Sequence, residues 1–260
     1  MNLFSIVVDI ILAAYIMREC ISFVPRYRRF KQEVASGDPQ ARTRLYREAL
    51  IFAWLSAGLA AMALRFDWRT LHPNSLGLDG SGLLEALTPA GGFNKGVLLG
   101  GFFAFVTGTI AMVVFLILRN RRGGIALPGA SASRWRRLMP DFAALAPVTK
   151  RERWLWVLVA LSAGICEEIV FRGWLLFSLH NIAGFEGTLL LATAAAIFGL
   201  AHAYQKITGV ILTTFVGLLL SVLYVKTGSL LVPIVLHCLI DLKFAILPAP
   251  RPETTATAYA

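Results

Sequence analysis

Apolar residues along the chain run in blocks of bilayer-crossing length, separated by short polar segments that carry most of the charge. About 20 apolar residues take a helix across a hydrocarbon core. Candidate spans fall near residues 3–24, 47–66, 97–118, 154–177, 187–205, 208–227 and 229–247, and the 97–118 block is the cleanest, with 22 residues and no charged side chain. Asp9 interrupts the first span, and Pro233 with Asp241 the last. Inside a bundle, neighbouring helices can satisfy the carbonyl that a proline releases. The pattern predicts an all-α fold: a polytopic membrane helical bundle of about seven or eight transmembrane helices, with residues 1–260 forming a single integral membrane domain.

The first apolar stretch, residues 3–17, lacks a basic leader and a convincing small-residue cleavage site, so it reads as a retained span and not a secretory peptide. Residues 77–92, rich in Gly, Pro, Ser and Leu, predict an outer loop or short interfacial element, and residues 248–260, with Pro250 and Pro252, a flexible tail. No tandem repeat supports an inverted-repeat transporter.

Composition sharpens the class. Hydrophobic residues make up 57% of the chain, charged residues 15%, and the mean hydropathy is +0.68, which argues against an ordinary soluble domain. The net charge of +10 sits in blocks beside apolar runs, so membrane topology explains it better than nucleic-acid binding, and the expected partners are the lipid bilayer and a membrane substrate with no nucleic acid. Residues 18–48 hold eight Lys or Arg against four acids and residues 119–153 nine against two, whereas residues 65–96 hold three of each. The positive-inside rule therefore places the basic linkers 25–47 and 119–153 in the cytoplasm. Seven spans then leave the N-terminus outside and the C-terminus inside, and an eighth re-entrant or divided helix would change that end. The basic runs 26–31 and 134–137 also suit interfacial helices against anionic headgroups. Cys20, Cys166 and Cys238 lie in or beside apolar segments without Cys-x-x-Cys spacing, which favours packing over a disulfide framework or thiolate metal site.

The chemistry begins where ionisable groups enter apolar runs. Glu167, Glu168 and Arg172 follow thirteen uncharged residues, and such groups are costly in lipid unless they face protein or water. Glu168 and Arg172, four residues apart, share a helical face, while Glu167 is turned by about 100° toward another partner. His202 closes the Ala-rich segment that contains Phe198. His237 and Asp241, again four apart, share a face, so that Asp241 can orient His237 through a ring N–H or both can hold a ligand. Packing roles are open for each element alone, but burial of all of them is most economical in one shared polar site. Carboxylate and imidazole together can activate water and stabilise an oxyanion, and zinc accepts the same mixture. No His-Glu-x-x-His, Gly-x-Ser-x-Gly or Cys-His arrangement is present. The residues favour water activation over an acyl-enzyme.

Glu167-Glu168-x-x-x-Arg172, Phe198-x-x-x-His202 and His237-x-x-x-Asp241, in that order over residues 150–247, resemble the CAAX prenyl endopeptidase and bacteriocin-processing group of intramembrane proteases, the CPBP or Abi family. The resemblance implies a conical interior cavity with a site toward its cytoplasmic half, a catalytic core at 150–247, and a place in a bacterial cell membrane. It implies that Glu167 activates water with His202, that Glu168 and Arg172 support the site, and that His237 with the side chain at 241 stabilises the scissile carbonyl oxygen. Many members carry Asn where this chain has Asp241, and an ionised Asp cannot donate a hydrogen bond. Zinc held by Glu167, His202, His237 and Asp241 and a metal-free glutamate mechanism are both compatible with the resemblance, as are prenylated and unprenylated substrates. Two other classes use similar buried charges: a proton- or cation-coupled transporter, and a noncatalytic membrane chaperone or bacteriocin-protection protein.

One geometric difficulty accompanies the shared site. Counted from Trp154, Glu167 lies about 20 Å along its helix, whereas His202 falls near the expected cytoplasmic end of the next span. Alignment then requires a tilted or displaced helix.

Overall fold

The computed structural model describes residues 3–67 and 144–245; the expected 97–118 span, the 77–92 loop, most of the 119–153 linker and the 248–260 tail lie outside them. Every element among the described residues is helical. In chain order they form α1 (Leu3–Ala35), α2 (Ala41–Asp67), α3 (Lys150–Glu168), a π-helical segment (Ile169–Leu175), α4 (Leu176–Asn181), α5 (Gly187–Ala201), a 3-10 turn (Ala203–Gln205), α6 (Lys206–Thr227), α7 (Leu231–Leu242) and a last 3-10 turn (Lys243–Ala245).

Three helical stretches are long and apolar enough to cross a membrane: Ala41–Leu64, Lys150–Asn181 and Ala203–Thr227. The chain is a polytopic helical membrane protein. Its outward apolar side chains fit that setting, since Ile51, Trp154, Ile207 and Phe215 are all exposed. The expected spans at 187–205 and 229–247 are instead shorter apolar helices, Gly187–Ala201 and Leu231–Leu242, of about 22 and 18 Å. The basic run at 26–31 belongs to α1, which continues unbroken through Pro25 to Ala35.

Local chemistry sets the boundaries. α3 starts with a capping box, in which Thr149 Oγ1 accepts from the Glu152 amide and Glu152 Oε2 accepts from the amides of Thr149 and Val148. α6 stops at Gly228, whose left-handed backbone (φ 60°) lets its amide reach the Tyr224 carbonyl. Pro233 does not break α7, because it sits in the first turn, where a missing N–H is no loss.

Missing side chains bring the helices close. A Cβ on Gly164 of α3 would lie 2.4 Å from Cys238 Sγ and 2.8 Å from its amide nitrogen on α7. One on Gly199 of α5 would lie 1.9 Å from Thr214 Oγ1 of α6, and one on Gly217 of α6 2.9 Å from the Phe198 ring. Close backbone approach at small residues is the usual way membrane helices gain packing contacts. Asp9, the polar interruption in α1, accepts a hydrogen bond from the Trp174 indole of the π-helical segment, which ties α1 to the bundle beside Val8 and Leu12.

Candidate active site

The hairpin from α3 to α5 removes the difficulty of depth. From Glu167 to the end of α4 the chain climbs about 21 Å, and from Gly187 to His202 it descends about 22 Å. His202 therefore returns level with Glu167, because the reference point is the 182–186 turn and not the start of either span. No displacement of a whole helix is needed.

Glu168 and Arg172 occupy the closed side of the site. The π-helical segment begins immediately after Glu168 and carries Arg172, the kind of irregular turn that often accompanies a functional site. The Arg172 guanidinium donates to Glu168 Oε1 at 2.6 Å and to the Gly217 carbonyl at 2.9 Å, and lies 4.6 Å from the centre of the Phe198 ring. Their side chains are 0% and 1% exposed, so this pair is part of the wall.

Oε1 of Glu168 also lies 2.7 Å from His237 Nδ1. Of the two roles open to Asp241, orienting the ring through a hydrogen bond or sharing a ligand with it, the first is taken by Glu168. Asp241 Oδ2 stands 3.7 Å from His237 Nε2, beyond hydrogen-bond distance, while Glu168, 69 residues earlier, holds the opposite nitrogen.

Glu167 faces the other way. Its Oε2 is 3.8 Å from His202 Nε2 and 3.9 Å from His237 Nε2, and it is buried without a hydrogen-bond partner. The side chain is 29% exposed, against none for Glu168. Adjacent glutamates thus divide into a structural anchor and a carboxylate facing the interior. His202 is fixed by the Phe198 carbonyl, 2.8 Å from Nδ1. A carbonyl only accepts, so Nδ1 carries the hydrogen, and Nε2, the acceptor of the neutral ring, is the nitrogen turned toward Glu167. Phe198 packs between these groups, its ring 4.8 Å from His202 and 6.0 Å from His237 between centroids.

Glu167, His202, His237 and Asp241 all line one cavity of about 740 Å³, whose remaining walls include Ile16, Phe52, Val159, Leu212 and Leu236. An apolar cavity with a few convergent polar groups is the usual form of a ligand site. Among the described residues no three His, Cys, Asp or Glu side chains are grouped to hold a metal ion. The four residues considered as zinc ligands do share the cavity wall.

Residues 149–242 match the family described as Type II CAAX prenyl endopeptidase Rce1-like. The match covers less than half of the chain and includes Glu167, Glu168, Arg172, His202, His237 and Asp241. No curated protein and no solved structure matches the chain. The buried His and Glu network together with this match is consistent with a protease-like active site.

Several wall residues carried no signal in the sequence. Trp156 donates its indole N–H to the Asp241 carbonyl at 3.1 Å and packs edge-on against Tyr46, whose hydroxyl donates to the Leu145 carbonyl. Tyr204 lines the cavity two residues after His202. Both read as ordinary aromatic residues of a membrane span.

Proposed function

We propose that the protein is an intramembrane endopeptidase that hydrolyses a peptide bond of a membrane-associated protein with water activated by Glu167. The observation that carries this reading is the unpartnered Oε2 of Glu167, facing two imidazoles across gaps of 3.8 and 3.9 Å inside an apolar cavity. Gaps of that size are bridged by one water molecule. With the lone pair of His202 and the carboxylate of Glu167 both accepting, the water directs its hydrogens at them and its own lone pair at the substrate carbonyl. Glu167 takes one proton as the oxygen attacks the carbonyl carbon, and it returns that proton to the amide nitrogen as the C–N bond breaks.

His237 serves the oxyanion. Its Nδ1–H donates to Glu168 and its Nε2 faces the reacting centre, so the imidazolium form, flanked by the carboxylates of Glu167, Glu168 and Asp241, presents an Nε2–H that stabilises the developing negative charge. Asp241 acts on this imidazole from 3.7 Å and not as a donor to the substrate. Glu168 and Arg172 fix the ring without touching substrate. The full bundle of seven or eight helices would keep the basic linkers 25–47 and 119–153 in the cytoplasm, with the bilayer delivering the substrate to the cavity.

The test uses the full chain purified in detergent and incubated with quenched-fluorescent apolar peptides, half of them carrying a prenyl group. Products are identified by mass spectrometry, and metal content is measured on the same sample. Cleavage by the wild type and its loss in Glu167→Gln support the reading. Cleavage retained in both Glu167→Gln and His202→Ala would sink it.

A further inference from the structure

We infer that Tyr204 is a substrate-binding residue whose hydroxyl donates a hydrogen bond to the peptide backbone of the substrate inside the cavity. The inference rests on the endopeptidase reading.

The backbone first explains why Tyr204 is available. In an uninterrupted helix, residues 202 and 204 would point about 200° apart and could not face one space. α5 instead ends at Ala201, a 3-10 turn spans Ala203–Gln205, and both His202 and Tyr204 line the same cavity. The turn closes at Lys206 with φ 62° and ψ −174°, and Lys206 is the one non-glycine residue with positive φ among the described residues. That conformation is nearly confined to glycine and persists only where the surroundings impose it, which is why such residues collect at functional sites.

The side chains then explain how the hydroxyl is oriented. The Tyr204 ring stands edge-on to Phe23 and Tyr27 of α1, with centroids 4.9 and 5.0 Å away, and faces His202 at 6.0 Å. Gln205 is buried, and its amide donates to the Tyr204 oxygen at 3.0 Å. Gly209 makes room for it, since a Cβ there would lie 2.1 Å from Gln205 Cβ. A phenol oxygen that accepts from an amide keeps its own hydrogen to give. Beside the Glu167 and Asp241 carboxylates and His202, which line the same cavity, this O–H supplies a donor for a substrate carbonyl. Extended peptide in an apolar cavity needs such donors, because a buried carbonyl left unpaired weakens binding.

The experiment compares wild type with Tyr204→Phe, which keeps the ring contacts and removes only the hydroxyl, on the fastest-cleaved peptide of the fluorescent set. Expected is a rise in KM, a fall of about tenfold in kcat/KM, a kcat changed by less than KM, and a small fall in melting temperature because the Gln205 amide loses its acceptor. Equal kcat/KM for the two proteins would overturn the role of Tyr204 while leaving proteolysis intact. If the wild type cleaves no peptide, the endopeptidase reading fails, and binding of the same peptides by fluorescence anisotropy decides for Tyr204: binding that weakens about tenfold in Tyr204→Phe supports it, and equal or absent binding overturns it.

Discussion

Glu168 Oε1 lies 2.7 Å from His237 Nδ1 while it accepts from Arg172 at 2.6 Å, so one carboxylate oxygen joins α3, the π-helical segment and α7. The same contact fixes which His237 nitrogen faces the cavity. Because Glu168 has no exposed surface, it gains this position only through its partners, and a buried charge stripped of its partner is strongly destabilising.

Glu168→Ala leaves the Arg172 guanidinium buried without its counter-charge. The expected loss is about 3–5 kcal/mol of stability, read from unfolding in mild detergent. Glu168→Gln keeps the shape and one acceptor oxygen, so it loses less stability. Its cleavage rate falls about 10- to 100-fold, because the carboxylate that sets the ring orientation is gone. A Glu168→Gln protein with wild-type turnover would remove Glu168 from the mechanism.

Glu167→Gln separates chemistry from folding. Oε2 has no hydrogen-bond partner to lose, so the melting temperature stays within about a degree or two of wild type. Peptide cleavage falls by about 10²–10⁴-fold, the range for loss of a general base. His202→Ala lowers turnover for a second reason, since the water loses the acceptor that the Phe198 carbonyl holds in place. Single-turnover rates on one peptide, alongside thermal melts, give both readings.

The local half of this site was legible in the sequence. Glu168 with Arg172 is a four-residue spacing on one helix, and spacing alone put both on one face. The partner of His237 was not legible. Asp241 stands four residues away and looked sufficient, yet the ring turns to Glu168 across 69 positions, a choice made by how closely α3 and α7 pack at Gly164 and Cys238. Depth is hidden for a related reason: the hairpin at 182–186, and not the cytoplasmic ends of the spans, sets the level of Glu167 and His202. Hydropathy makes α5 and α7 look longer than they are, because apolar residues continue past their ends at Tyr204 and Phe244. Hydropathy does not report where a helix breaks to present a side chain.

Glycine substitutions test that packing. Gly164→Ala drives a methyl to 2.4 Å from Cys238 Sγ and 2.8 Å from the Cys238 amide nitrogen, and the backbone cannot give way cheaply. Expected is a loss of about 1–3 kcal/mol, as for other overpacked interiors, with cleavage reduced because α7 carries His237. Gly58→Ala is the control, since nothing lies within 4 Å of a Cβ there and the position is interior to α2. It gains about 0.5–1 kcal/mol from helix propensity. Melting curves of the two variants should therefore shift in opposite directions, and a Gly164→Ala protein as stable as wild type would argue against the close α3–α7 approach.

Lys206 tests the strain that follows the catalytic turn. At φ 62° and ψ −174° its Cβ is crowded against its own backbone, a conformation that costs of the order of 1–3 kcal/mol for residues other than glycine. Lys206→Gly relieves that crowding but enlarges the freedom of the unfolded chain, by about 0.5–1 kcal/mol, so its net effect ranges from neutral to stabilising. Lys206→Val adds a branched Cβ to the same backbone and is destabilising. The order of melting temperatures, Gly at or above Lys and Lys above Val, is the expected result. Cleavage carries separate information: if the strain serves to hold His202 and Tyr204 toward one cavity, Lys206→Gly retains its stability yet turns over more slowly, because a freer backbone at 206 lets the turn relax. Unchanged turnover at higher stability would show that the aromatic contacts of Tyr204 with Phe23 and Tyr27 hold the turn without help from the strained residue.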